Sequence, residues 1–311
     1  MPWAAAFVAI AAGLLVRARA ARRYHRARSA SLPVGPEGII VGAGPIDLPG
    51  SPDTPATPAA LLLHGFGDTP QTLAHLAAHL HERGWAVRVP LLPGHGRTMQ
   101  DWARTRAADW LSAAREELAT LRRQHDAVAL VGLSMGGALA SVLAAHEPSR
   151  RPVDAASDRG AARIVALALV APYLAMAWWI RALARIHVLI APIVPYAGGG
   201  GGPSIRDPDE RERNLAYGVT TPALVHELAH VVRAARAALP AIAVPTLLVQ
   251  SRHDNRIPPA VAEWAFTQLG SADKRLVWID LGGHVITVDH GREDVAACVG
   301  DWLEGHLAIS D

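Results

Sequence analysis

Two short stretches of this chain hold side chains that could make and break bonds. Gly132-Leu133-Ser134-Met135-Gly136 is a G-x-S-x-G run, and His226-Glu227-Leu228-Ala229-His230 is an H-E-x-x-H run. A serine between glycines, at the end of a strand and the start of a helix, sits on a tight turn with its hydroxyl outward, where a base can take its proton. Two histidines four residues apart on a helix share a face and can share a metal, with the intervening glutamate as base for the metal's water. These are different chemistries, and the surrounding sequence has to choose between them.

The serine has the context it needs. "AVALVG" at 127–132 reads as a strand and "MGGALASVLAAH" at 135–146 as a helix. Ser134 is then a nucleophile on a strained turn, with Gly132 and Gly136 letting neighbouring backbone approach closely. The Met135 amide at the helix start lacks an intrahelical partner, so it can hold an oxyanion. A hydroxyl nucleophile also needs a base, and the base an orienting acid. In this setting the chain order is serine, acid, histidine. Asp254 in "LLVQSRHDNRIPP" and His284 in "VWIDLGGHVITVDH" each follow a strand and supply that order. Asp280, at a strand end, and Asp289, just beyond His284, stay open as rival acids. His64 and His95 fall in loops on the same edge but precede the serine. A second oxyanion amide is expected from "HGFGDTP", at Phe66, with His64 as a structural loop histidine.

The histidine pair lacks such support. No third ligand follows at a defined spacing, and a chain with 15 His meets this pattern easily by chance. Leu224, Val225, Leu228, Val231 and Val232 give the segment one apolar helical face. No metal and no cofactor are expected, and His226 and His230 read as histidines on a solvated or pocket-lining surface. "VGAGPIDLPG" near residue 41 lacks the full glycine fingerprint of a nucleotide loop and is followed by prolines rather than a helix.

The elements that would position these groups alternate. Strands are expected at 59–65, within 85–94, and at 127–132, 164–172, 246–251 and 275–280. Helices are expected at 70–83, 101–124, 135–146, 259–269 and 293–306. Continuous apolar strands alternating with helices imply an α/β fold with a mostly parallel sheet covered on both faces. Residues 49–58 are a Pro-rich connector. The rhythm breaks at about 175–242, which carries Trp178, Trp179, several prolines and the glycines 198–202 before turning helical, and this segment reads as an insert at the carboxyl ends of the strands. The expected division is a segment 1–30, a core of 35–174 and 243–307, and a cap of 175–242.

Bulk properties narrow the rest. The chain has 311 residues, 50% hydrophobic and 19% charged, which suits one large folded domain. A net charge of +2 is too mild to argue for nucleic acid. The single cysteine, Cys298, excludes an internal disulfide and a cysteine metal cluster. At the N-terminus, the apolar run 3–16 is shorter than the roughly 20 residues of a membrane span. Arg17, Arg19, Arg22, Arg23, Arg26 and Arg28 follow it. A signal peptide would carry its charges first, so export is the second reading. The first is membrane contact through residues 3–28, with the rest of the chain on the cytoplasmic side.

Five segments together, "LLLHGFGDTPQTL", "VPLLPGHG", "VGLSMGG", "PTLLVQSRHDNRIPP" and "GGHVITVD", resemble the α/β-hydrolase fold, and more narrowly its bacterial carboxylesterase and monoacylglycerol-lipase branch, over about residues 35–307. The resemblance implies Ser134 as nucleophile, Asp254 as acid, His284 as base, and Phe66 and Met135 as oxyanion donors. It further implies a cap over an acyl pocket, in which Trp178 and Trp179 are candidate substrate contacts. The expected function is cofactor-free hydrolysis of a small-molecule or lipid ester, with short to medium acyl chains or monoacylglycerols. Acyl transfer, C–C hydrolysis and peptide cleavage use the same constellation. From other classes, a non-catalytic membrane-tethered binding module and a zinc enzyme built on HELAH remain as alternatives.

Overall fold

The computed structural model describes residues 2–50, 57–147, 163–198 and 203–307. The middle of the Pro-rich connector, the polar stretch 149–162 and glycines 199–202 lie outside the described residues. In chain order the first half comprises α1 (Pro2–Ser31), β1 (Ile46–Leu48), β2 (Ala59–Leu63), α2 (Ala74–Glu82), β3 (Ala86–Val89), α3 (Met99–Ala103), α4 (Ala107–Gln124), β4 (Ala127–Leu133) and α5 (Met135–Ala144). Then come β5 (Arg163–Val170), α6 (Trp178–Arg185), α7 (His187–Ile190), β6 (Ala197–Gly198), α8 (Pro208–Arg213), β7 (Val219–Thr220) and α9 (Pro222–Ala238). The chain returns to the sheet with β8 (Thr246–Ser251), α10 (Pro259–Gln268), β9 (Lys274–Ile279) and α11 (Arg292–Leu307).

Seven strands form one sheet in the order β1-β3-β2-β4-β5-β8-β9. β1 pairs antiparallel with β3, and the other pairings are parallel. The apolar runs do this because both faces of a parallel sheet are covered by helices. Alternate residues of β2 show it: Leu61 and Leu63 pack into the core beneath α4, α5 and α9, whereas Ala60 and Leu62 pack into the core beneath α2 and α11. This is the α/β-hydrolase architecture.

The elements follow the sequence with two departures. The helix expected over 101–124 is broken into α3 and α4. Thr98 and Asp101 form a capping box at the first start, and Asp109 accepts from the Arg106 amide at the second. β1 was hidden in the glycine-rich stretch near residue 41, and its three residues are too few to show a period. Between β5 and β8 the chain builds a separate layer from α6, α7, α8, α9 and the small β6–β7 pair, with Leu224, Leu228, Val231, Val232 and Ala235 of α9 buried.

The apolar run at the N-terminus and its arginines form one helix, α1. Among the described residues, no helix is long and apolar enough to cross a membrane. The last turns of α1 are docked on the body. Arg28 Nε donates to the Ala216 carbonyl at 3.0 Å, its guanidinium also donates to the Asn214 carbonyl, and His25 packs on Tyr196.

Candidate active site

The carboxyl ends of β2, β4, β8 and β9 converge on one edge of the sheet, where ligands of open α/β sheets bind. β4 ends at Leu133 and α5 begins at Met135, so Ser134 alone makes the turn, with φ 55 and ψ −115. This is the left-handed side of the map, strained for a residue with a Cβ. Two glycines make the turn possible. A Cβ on Gly136 would lie 1.9 Å from the Leu63 carbonyl oxygen, and one on Gly132 would lie 2.4 Å from the Gly136 oxygen. The turn is held by the Ser134 amide donating to Val170 and by the Tyr173 amide donating to the Ser134 carbonyl.

His284 reaches the serine from the loop after β9. Its Nε2 lies 2.8 Å from Ser134 Oγ, and its Nδ1 lies 2.8 Å from Asp254 Oδ2. All three side chains are buried. Asp254 is fully occupied. Oδ2 also accepts from Gln250 Nε2 at 2.8 Å, and Oδ1 accepts from the amides of Arg256 and Ile257. Burial works against its charge, but the bond from His284 and those amides outweigh it and hold the carboxyl below the usual range.

The rival acids are placed elsewhere. Asp280 is exposed and pairs with Arg252 at 2.9 Å. Asp289 is buried and accepts four amides, from Gly283, Arg206, Asp207 and His290. It stitches the His284 loop to the segment beginning at Ser204, whose carbonyl in turn accepts from the His284 amide. Burial opposes its charge too, and the four amides together hold its carboxyl low.

The amides of Phe66 and Met135 flank the serine. Among the described residues, neither donates to a protein acceptor. Phe66 is wedged against Trp102 and Trp110. His64 is a tie between loops: its Nδ1 bonds the Gly65 carbonyl, its Nε2 accepts from the Leu92 amide, and burial pushes its pKa down to about 4. It stays neutral and has no contact with the serine.

Ser134 and His284 open into a cavity of about 620 Å³. Tyr173, Met176, Ile180, Val225 and Leu228 give it an apolar side, and Arg28, Arg211 and Arg256 a basic one. Trp178 and Trp179 do not line it. They are 74% and 53% exposed at the start of α6, and the next residue, Ile180, turns inward instead. Of these three residues at the start of α6, Ile180 alone lines the cavity. Tyr24 and Arg28 of α1 do line the cavity, so the N-terminal helix contributes a wall that its sequence does not announce.

Gln250, Tyr24 and Asp68 are the residues that sequence reasoning missed, and Asp289 was weighed there only as a rival acid. Asp68 sits in the quoted "HGFGDTP" stretch and lines the cavity. Burial raises its pKa to about 6, against the pull of His284. The folded value lies above the usual one, so the native state binds the proton more tightly and loses stability as pH climbs from about 4 to 6. A rise of that size corresponds to at most about 3 kcal/mol at neutral pH. Asp68→Asn is expected to raise the unfolding free energy at pH 7 and to flatten its pH dependence over that window. Denaturant unfolding at a series of pH values checks this, and an unchanged slope would mean that Asp68 is ionised freely in the native protein.

HELAH is folded into α9, and its Glu and His side chains are hydrogen-bonded within the protein. Glu227 accepts from the Ala107 amide at 3.0 Å, tying the cap to α4. His226 and His230 face each other with Nε2 atoms 3.0 Å apart. Among the described residues, no group of three or more His, Cys, Asp or Glu side chains is placed to hold a metal ion.

Comparison with known proteins agrees with this geometry. The family described as serine aminopeptidase, S33, matches residues 54–291. A thermostable monoacylglycerol lipase of Bacillus sp. (strain H-257) is 30% identical over 244 residues, 75% of this chain and 84% of that one. A carboxylesterase of Bacillus subtilis (strain 168) is 26% identical over 79% of this chain and 92% of its own length. Among solved structures, one from work on the metagenome-derived lipolytic enzymes LipS and LipT superposes with a TM-score of 0.73 at 28% identity, covering 88% of this chain and 100% of that one. The chain belongs to the serine aminopeptidase S33 family of α/β-hydrolases and is an ester-hydrolysing enzyme.

Proposed function

We propose that Ser134, His284 and Asp254 are the catalytic triad of an esterase for single acyl chains of short to medium length, monoacylglycerols among them. The observation that carries this reading is the unbroken relay from Ser134 Oγ through His284 to Asp254 at the floor of a half-apolar cavity. His284 Nε2 takes the serine proton as Oγ attacks the ester carbonyl. The oxyanion is received by the Phe66 and Met135 amides. The alcohol leaves with the proton from His284, and water, deprotonated by the same imidazole, frees the acid. Asp254 holds the Nδ1–H tautomer and stabilises the imidazolium.

The family description raises peptide cleavage as a second reading. An aminopeptidase has to hold its substrate's ammonium group, which calls for carboxylates near the serine. Outside the triad, Asp68 is the one carboxylate among the described residues lining the cavity, and three arginines line it too. That balance favours ester substrates.

If the apolar side takes the acyl chain, each methylene buried adds about 0.8 kcal/mol, or roughly fourfold in kcat/KM, until the space is full. A series of p-nitrophenyl esters from acetyl upward is expected to climb in this way and then fall. Ile180→Ala with Val225→Ala should flatten the climb, and Trp178→Ala with Trp179→Ala should leave it unchanged. A series that peaks at acetyl and ignores Ile180 would refute an acyl pocket.

Membrane contact through residues 3–28 also belongs to this proposal, supported by the apolar run and the arginines at 17, 19, 22, 23 and 26 that follow it, which suit anionic head groups on the cytoplasmic side. Deletion of residues 1–31 removes Tyr24 and Arg28 from the cavity wall. It is expected to raise KM severalfold for medium-chain esters, to spare acetyl ester turnover and to weaken co-sedimentation with anionic vesicles. Equal effects on acetyl and medium-chain KM would show that α1 does not shape the acyl site.

A further inference from the structure

The reaction makes no use of the histidines of α9, yet a second cavity is built around them. It measures about 300 Å³ and opens between α6 and α9. Arg181 and Arg185 line it from α6, and Arg233 and Arg236 from α9, with no carboxylate in the lining. Among the described residues, none of the four guanidiniums forms an ion pair. Glu227, the carboxylate nearest in sequence, is engaged on the Ala107 amide.

The imidazoles beside these arginines are locked by their partners. Arg233 donates to His230 Nδ1 at 2.7 Å, so the His230 proton is on Nε2. That N–H donates to His226 Nε2 at 3.0 Å, which puts the His226 proton on Nδ1, facing the Ala184 carbonyl at 3.0 Å. Every ring nitrogen of the pair has a hydrogen-bond partner. The ring of His187 packs on His226 at 4.3 Å. Arg236 is anchored on the Leu174 carbonyl and lies over the Trp264 ring at 3.8 Å. Burial and the nearby Arg181 charge both lower its pKa, so like charges are crowded here without compensation.

Four cationic forks on two facing helices suit an anion with several oxygens better than a carboxylate, which one fork already satisfies. We propose that this cavity is a second ligand site that takes a phosphate group, bridged between the guanidiniums of α6 and those of α9. The group arrives either on a soluble phosphate ester or as the headgroup of an anionic phospholipid. Met176 lines this cavity and the catalytic one alike, and Ile180 and Val225 on the same two helices line the catalytic one. A ligand that draws α6 and α9 together thus acts on the walls of the acyl site. The site itself does not depend on the triad or on the substrate.

The test is titration calorimetry of the full-length protein with inorganic phosphate and glycerol 1-phosphate at low ionic strength, beside flotation with phosphatidylglycerol and with phosphatidylcholine vesicles. Saturable binding of the soluble phosphates, or of phosphatidylglycerol but not phosphatidylcholine vesicles, is expected. The first outcome assigns a free ester and the second a headgroup. In either case Arg181→Gln with Arg233→Gln should weaken binding at least tenfold, Arg181→Lys with Arg233→Lys should restore part of it, and acetyl ester turnover and the circular dichroism spectrum should not change. No binding of any probe overturns the proposal. So does binding that the glutamine pair leaves intact, as contact through α1 alone would.

Discussion

Ser134→Ala is expected to lower kcat by about 10⁶-fold, with KM close to that of the unaltered enzyme. His284→Ala should lose nearly as much, and the double variant no more than either, because the two groups act as one unit. The geometry sets this expectation. The imidazole has one route to the serine, a 2.8 Å bond, and the serine hydroxyl is buried with that imidazole as its hydrogen-bond partner. Alanine at 134 removes the nucleophile while leaving the Phe66 and Met135 amides in place, so substrate still binds. Steady-state kinetics on a short soluble ester check the prediction. Variants that keep more than a hundredth of the turnover would place the chemistry on other residues.

Asp254→Asn is expected to cost about 10⁴-fold in kcat. An amide in this position lets its NH2 face His284 Nδ1, which fixes the wrong tautomer and strips the lone pair needed at Nε2. The rivals separate cleanly. Asp280→Asn should change kcat by less than a few-fold, since that carboxylate is spent on an exposed pair with Arg252. Asp289→Asn should lower stability, because a buried acceptor of four amides loses half its accepting capacity. Its kcat should fall only as far as the His284 loop loosens. Kinetics and thermal unfolding measured on all three variants distinguish these roles. A large kcat loss in Asp280→Asn with Asp254→Asn near normal would reverse the acid assignment.

Much of this site was legible because its parts are local. The apolar runs of β4 and β8 report burial on both faces, and glycines at 132 and 136 report a turn that admits no Cβ. The order of Ser134, Asp254 and His284 then follows from which strands end where. The acid could be narrowed but not fixed, because Asp254 and Asp280 sit near strand ends and Asp289 just beyond His284. What separates them is the direction of a loop, set by amides far away in sequence. Gln250 carried no signal, since a glutamine at a strand end looks like any other polar residue. Which residue of α6 lines the cavity was not legible, for a specific reason. The composition Trp-Trp-Ile announces an apolar helix start but not which side faces the cavity, and one residue is a turn of about 100°. The docking of α1 was equally invisible, because Arg28 meets backbone carbonyls at 214 and 216, a contact that leaves no pattern in side-chain types.

The proposed catalysis passes through a covalent step at one atom, and that step can be weighed. Mixing the enzyme with excess p-nitrophenyl butyrate, quenching in acid within the first turnover and measuring the intact mass should show one butyryl group per chain. Digestion should place it on the peptide containing Ser134, and Ser134→Ala should remain unlabelled. A butyryl group on any other residue, or full turnover without a trapped adduct when deacylation is slowed, would contradict the mechanism at its centre.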